Sequence, residues 1–229
     1  VLAEFGQRMQ ALLVAQLRLR AVALDQVLMH ADGAVGLAAA AEQAAQREVQ
    51  LDGLGIDARR LSASASDLGV ANGYAQPERL GADRWAALVA ARARCAGAVC
   101  VVDAGTAVTV DALDASGLFR GGVILPGLAL QRAALQHGTE GVGAGPAASG
   151  SCLACDTAAA VVGGTLYGLA GAIDRILDEQ AQALGASAAV LVTGGDGARL
   201  LPLLRHAAEP VPDLVLRGVA RLSGVEVAV

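Results

Sequence analysis

Residues 100–111 read Cys-Val-Val-Asp-Ala-Gly-Thr-Ala-Val-Thr-Val-Asp, which sets a carboxylate at Asp103, a glycine at Gly105 and hydroxyls at Thr106 and Thr109 around the turn of an apolar β-hairpin. Gly105 lets the backbone come close to a charged ligand, and the successive amides around Gly105 and Thr106 can form an anion-binding concavity. Asp103 is then left for a cation. The ligand that fits this chemistry is a nucleotide with its metal ion.

Further residues could do chemistry. Asp83 precedes an apolar run of helical spacing, where a carboxylate can cap the helix or act as a base. Arg84 offers a planar fork of donors suited to a carboxylate. Gly194 and Gly195 follow an apolar run, the position at which α/β proteins bind ligands. Cys152 and Cys155 have redox or metal spacing, but no second pair or nearby histidine completes four ligands, so they read as loop cysteines. Cys95 and Cys100 read as small core residues, and His30, His137 and His206 as scattered surface or packing residues. Gly141, Gly143 and Gly145 resemble part of a dinucleotide fingerprint. They neither follow a strand nor open a helix, so they read as a flexible loop.

Composition removes several classes. The net charge is −5 and all 17 basic residues are arginine, so a Walker-type phosphate loop and a lysine Schiff base are excluded. Two Phe, two Tyr and one Trp offer no stacking platform and there is no basic run, which leaves nucleic-acid binding without support. The longest uncharged run, residues 158–173, is short of a membrane span and interrupted by glycines. No signal peptide is visible, so the expectations are no membrane and a cytoplasmic protein.

The elements that must position these residues follow from periodicity. Residues 1–15 read as an amphipathic helix, 19–27 as a buried strand, 32–49 as a second helix and 57–61 as a short strand. Residues 62–77 are polar and turn-rich, a junction between lobes, and a helix runs over 84–94. Three antiparallel strands are expected at 98–102, 107–113 and 118–125. A helix starts at Pro126-Gly127, and a mobile Gly/Ala/Ser-rich loop spans 138–151. Asp156 caps a long helix to about residue 183, followed by a strand at 188–192. The turn at 193–197, a helix through Leu200 and Leu204, and a last helix near Asp213 complete the chain. The boundary between lobes is placed at 97/98.

The two halves resemble each other: hairpin, helix, strand, helix, strand, helix describes the second, and the first fits the same order without its opening hairpin. This layout is similar to the superfamily of acetate and sugar kinases, Hsp70 and actin. Within it, residues 72–84, 103–109, 121–127 and 212–216 together resemble the type III pantothenate kinases in order and spacing. The resemblance implies an α/β, duplicated ribonuclease H-like (actin-like ATPase) two-lobe fold with mixed sheets. Its lobes would be 1–97 and 98–229, with the first N-terminally truncated.

The resemblance also implies roles. Asp83 accepts the proton of the primary hydroxyl of pantothenate. Tyr74, Gly81, Ala82, Asp83, Arg84 and Thr157 bind the substrate, with Pro77 walling the pocket. Gly105, Thr106, Gly194 and Gly195 bind ATP. Asp103 holds a monovalent cation, K+ or NH4+, and Mg2+ comes with ATP. The implied partner is a second copy of the chain, with the pantothenate pocket at the homodimer interface. A catalytically silent binding or regulatory homologue is the alternative reading; a sugar or acetate kinase fits less well because residues 74–84 follow the pantothenate pattern.

One departure stands at the front. The family opens on a hairpin carrying Asp-x-Gly-Asn-Ser/Thr followed by a lysine, and no segment here matches it. The expectation is that this chain lacks that hairpin, half of the phosphate clamp, and has reduced activity without it.

Overall fold

The computed structural model describes residues 61–142 and 150–225. The chain divides into two compact units, Val1–Ser62 and Ala63–Val229, and the description concerns the second. The helices and strands expected over residues 1–60 lie outside the described residues, as does part of the loop expected at 138–151.

Alternation of apolar side chains in three consecutive runs builds the centre of the unit. Strands β3 (Val99–Ala104), β4 (Ala107–Leu113) and β5 (Leu118–Pro126) form the antiparallel meander expected from the sequence. Strand β6 (Ala189–Thr193) adds in parallel to β3, with Asp103 opposite Thr193. Two short strands, β1 (Ser66–Asp67) and β2 (Val70–Asn72), extend the other edge, and β7 (Glu209–Pro210) closes the far side. The resulting mixed sheet has seven strands in the order β1-β2-β5-β4-β3-β6-β7. The junction expected at 62–77 therefore contributes an edge hairpin, paired in parallel to β5 through Ala71 and Asn72.

Period-2 alternation sends successive side chains to opposite faces. Val99 and Val101 pack with Trp85, Leu88, Leu113 and Phe119, whereas Cys100, Val102 and Ala104 pack with Leu166, Leu169, Ile173 and Leu177. Helices α1 (Ala82–Arg94) and α5 (Leu214–Leu222) cover the first face. Helices α2 (Leu128–Gly138), α3 (Thr157–Leu184) and the short α4 (Gly197–Leu200) cover the second. This is an α/β unit of three layers. Because α1 packs in the same unit as β3, the contacts run across the expected 97/98 boundary.

The long helix starts as expected. Asp156 caps it, its carboxylate accepting from the Ala159 amide at 2.8 Å, and Gly185 ends it in the left-handed conformation. Helix α3 is long and apolar enough to span a membrane, but half of its most apolar window is buried within the unit. The helix expected through Leu200 and Leu204 is shorter: α4 stops at Leu200 and a 3-10 turn takes over at Leu201–Leu203, where Pro202 removes a backbone donor.

Candidate active site

Alternation decides which side chains can meet on the α1 face. Because Val108, Val110 and Ala112 of β4 belong to the other core, Thr109 and Asp111 face the same side as Asp103 of β3. Thr109 is the direct partner of Asp103, and Asp111, paired with Val101, is two register positions further along on the same face. Helix α1 crosses this face and brings Asp83 and Arg84 to the same carboxylates.

Asp83 does not cap the helix, one of the two roles its sequence position allowed. Gly81 holds that position in an extended conformation, so Asp83 is the second residue of α1, half-buried within its first turn. Free amides and the helix dipole favour a negative charge there. No hydrogen bond engages the Asp83 carboxylate among the described residues. A Cβ on Gly81 would stand 2.5 Å from Asp83 Oδ1, so glycine at 81 clears the space in which this carboxylate sits.

Arg84 points the other way, into the unit, and its side chain is only 6% exposed. Its Nε donates to Asp111 Oδ1 at 3.2 Å and Oδ2 at 3.0 Å, and its Nη2 donates to Asp111 Oδ1. The Nη1 donates to the Tyr74 hydroxyl at 3.3 Å. The guanidinium carbon lies 5.7 Å from the centroids of both Tyr74 and Phe119, whose rings stack 6.0 Å apart. Burial works against the Arg84 charge, but the hydrogen bonds and charge of Asp111 more than offset it, so its pKa lies above the ordinary arginine value. The fork expected to meet a substrate carboxylate is thus taken up along one edge by Asp111, and the Nη1 end is the part left toward Tyr74.

Two residues in this arrangement were not expected as site residues. Asp111, inside β4, fixes Arg84. Asn72 fixes Tyr74: its Oδ1 accepts from the Tyr74 amide at 3.0 Å, while its Nδ2 donates to the carbonyls of Ser64 at 3.0 Å and Pro77 at 3.1 Å. The Asn-Gly-Tyr run signals such a side-chain-to-backbone turn. Asp111 carries a subtler signal, a carboxylate at an apolar strand position that shares the parity of Asp103.

Gly122 lies opposite Asp111 on β5. A Cβ there would collide with Asp111 Oδ1 and stand 2.6 Å from the Val110 carbonyl and 2.9 Å from Arg84 Nη2. Replacement of Gly122 by alanine is expected to cost about 1–3 kcal/mol by overpacking, read as a lower urea midpoint at unchanged slope.

The turn expected to hold the nucleotide comes together at the ends of β3 and β6. Gly105 and Thr106 turn the hairpin, with the Gly105 amide donating to Ala107 at 3.1 Å and the Gly127 amide to the Thr106 carbonyl at 3.0 Å. The β6 turn locks onto it: the Asp196 amide donates to the Ala104 carbonyl at 3.0 Å. Gly194 sits at φ +88°, and a Cβ on it would lie 2.5 Å from Ala104 carbonyl atoms, so no other residue allows the two turns to pack this closely. Thr106, Gly194 and Gly195 are exposed. Asp103 itself is the penultimate residue of β3, just before the turn.

Thr157 stands apart from this group. It opens α3 and lines a groove of about 740 Å³ between α2 and α3, with Pro126, Gln131, Leu135, Val161 and Thr165. No hydrogen bond among the described residues links it to Asp83, Arg84 or Asp103.

Electrostatically the α1 face holds three carboxylates against one arginine. Burial, and then the neighbouring charges of Asp83 and Asp111, push the Asp103 carboxyl up from 3.8 to about 6. Burial also pushes Asp111 up, opposed by Arg84 and the Thr109 hydroxyl. A cation beside Asp103 would relieve this excess. The carboxylates do not form a three-ligand metal cluster among the described residues. A cation held by Asp103 would therefore complete its shell from backbone carbonyls, water or a bound anion.

The sign of the Asp103 effect is testable. A carboxyl raised in the folded state contributes stability fully present below its ordinary value of 3.8 and lost as the pH rises through about 6. Asp103→Asn is therefore expected to raise the Tm at about pH 8 and leave it unchanged at about pH 4. Thermal melts across that range check it.

Known proteins place the chain in one family. A model of the type III pantothenate kinase family matches residues 7–179. The type III pantothenate kinase of Nitrosococcus oceani is 44% identical over 71% of this chain and 64% of its own length. That of Thiobacillus denitrificans is 45% identical over 76% of this chain and 70% of its own. In solved structures, a protein described as a conserved Baf family transcriptional activator from Campylobacter jejuni is 26% identical. That match covers 64% of this chain and 65% of the other, with a TM-score of 0.47. The chain spans about two thirds of the length of the curated relatives it matches. With its Asp83-Arg84 pair and its Asp103 turn gathered at one end of the sheet, the chain belongs to the type III pantothenate kinase family.

Proposed function

We propose that the protein phosphorylates the primary hydroxyl of pantothenate with ATP, the opening step of coenzyme A synthesis. The observation that carries this reading is the placement of Asp83. Its carboxylate has no hydrogen-bond partner among the described residues, sits in the first turn of α1, and lies close enough to Asp103 to raise that residue's pKa.

In this reading Asp83 accepts the hydroxyl proton as the oxygen attacks the γ-phosphorus and ADP leaves. Such transfer needs mainly positioning and charge compensation, so one oriented carboxylate suffices as base. The Thr106 hydroxyl and amide, at the exposed tip of the turn, meet the phosphates, Gly105 lets the backbone come close to them, and the exposed glycines Gly194 and Gly195 lie against the adenosine. Arg84, held by Asp111 and flanked by Tyr74 and Phe119, turns its Nη1 end to the pantothenate carboxylate. Gly81 and Ala82 pass close beside the substrate.

The three-carboxylate excess supports a cation at Asp103, which the family resemblance makes a monovalent ion, K+ or NH4+. That ion, together with the Mg2+ carried by ATP, would offset charge on the transferring group. Thr157, remote from Asp83 within the described residues, fits a pocket completed by a second copy of the chain in a cytoplasmic homodimer. The duplicated actin-like architecture, with lobes at 1–97 and 98–229, belongs to the same proposal.

Thermal-shift titration tests the binding half of this reading. Pantothenate and ATP should each raise the Tm, and together by more than either alone. A melt that responds to neither ligand would instead fit a silent homologue and overturn it.

A further inference from the structure

Cys152 and Cys155 take no part in the site described above. Both are exposed and free, whereas Cys100 is buried and Cys95 half-buried. Burial pushes the Cys95 thiol up and the Cys100 thiol to about 11, which keeps both unreactive. The two exposed cysteines lie on a short strap pinned at both ends to α3. At one end the Ser151 carbonyl packs where a Cβ on Gly163 would stand. At the other, Asp156 caps the helix, accepting the Ala159 amide through its carboxylate at 2.8 Å and the Ala160 amide through its carbonyl at 2.9 Å.

Between these anchors the chain must reverse within a few residues. It turns at Cys152 and Leu153, where the Leu153 amide donates to Ser151 Oγ at 3.1 Å, and it bends at Cys155. The Cys155 thiol folds back to 3.9 Å from the Leu153 carbonyl, toward the turn that carries Cys152. An extended chain would hold residues three apart at roughly 10 Å. A disulfide requires about 4.4–6.8 Å between Cα atoms, so only a reversed chain lets Cys152 and Cys155 meet.

We propose that Cys152 and Cys155 are a redox modification site that closes to a disulfide by exchange with a low-molecular-weight disulfide of the glutathione class. One protein thiolate attacks a sulfur of the small disulfide, expels one thiol and leaves a mixed disulfide on the protein. The second cysteine's thiolate then attacks the protein sulfur of that bond, forms the Cys152–Cys155 bond and expels the second thiol. Two electrons pass to the small disulfide, and the two protein thiol protons end on the two released thiols. The bond fastens the strap between its anchors and so stiffens the start of α3.

The full chain, equilibrated across a series of reduced to oxidised glutathione ratios, acid-quenched, alkylated and mapped by peptide mass, tests this. Cys152 and Cys155 should lose alkylation together, with the loss of two hydrogens from their peptide, while Cys95 and Cys100 remain alkylatable after unfolding. Cys152→Ser should stop at a mixed disulfide on Cys155. In the oxidised protein, hydrogen exchange at the Ala159 and Ala160 amides should slow by at least ~3-fold. A wild-type end state that keeps glutathione on either cysteine, thiols that stay alkylatable throughout, or unchanged exchange at Ala159 and Ala160 would each overturn the proposal.

Discussion

Replacing Asp83 with asparagine is expected to lower kcat by about 10²–10⁴-fold, the usual contribution of a positioned base, with pantothenate binding largely retained. The fold should survive, because no hydrogen bond of the described residues is lost with the carboxylate. The cost is the favourable charge in the first turn of α1, about 0.3–1 kcal/mol. A second readout separates this from a general perturbation. Asp83 is one of the charges that push Asp103 up to about 6, so Asp83→Asn should move the Asp103 transition in the pH–Tm profile to lower pH. Unchanged turnover would remove Asp83 from the role of base, and an unmoved transition would separate it from Asp103.

The largest stability effect is expected at Asp111. Its side chain is 2% exposed and its carboxylate is the counter-charge of a buried arginine. Asp111→Ala leaves the Arg84 charge buried without its counter-charge, its remaining contacts being the Tyr74 hydroxyl and the Tyr74 and Phe119 rings, and about 3–5 kcal/mol of lost stability is typical of such a break. Replacing both members by apolar residues, Arg84→Met with Asp111→Leu, should recover most of that loss, since the pair's own desolvation cost disappears with it. Activity should not recover, because the Nη1 end beside Tyr74 is gone. Chemical unfolding of Arg84→Met, Asp111→Leu and the double variant that combines them gives the coupling energy directly. A double variant no more stable than Asp111→Ala would contradict this account of the pair.

Much of this arrangement was legible in the sequence, and the reasons differ by element. The β3–β5 meander, β6 and α3 announce themselves through apolar alternation, turn residues and an aspartate cap, all local signals. The edge hairpin at Ser66–Asn72 did not, because strands of two and three residues carry no periodicity and their polar composition reads as a turn. The Asp103 turn and the Gly194 turn were found separately as glycine-rich strand ends. Their contact through Ala104 is a product of the parallel β3–β6 pairing, which local composition does not encode.

The main surprise is Arg84, whose bidentate partner lies 27 residues away on another element. Sequence spacing gave the fork but not what it grips. Strand parity could have supplied the answer, since a carboxylate within an apolar run must share a face with something that neutralises it. For Asp83 the sequence allowed a helix cap beside the role of base; an N-cap at Gly81 removes the first and leaves its carboxylate unclaimed among the described residues. Thr157 entered only through resemblance, and the α2–α3 groove in which it lies supplies a place for it without linking it to Asp83.

In the proposed function the carboxylates of the α1 face serve phosphoryl transfer to pantothenate. The most direct test is pantothenate-dependent ADP release by the protein, run beside Asp83→Asn and with acetate and a hexose as competing acceptors. ADP formation should require pantothenate, go unsupported by acetate or hexose, and collapse in Asp83→Asn. ADP release indifferent to pantothenate, or undiminished by Asp83→Asn, would contradict it.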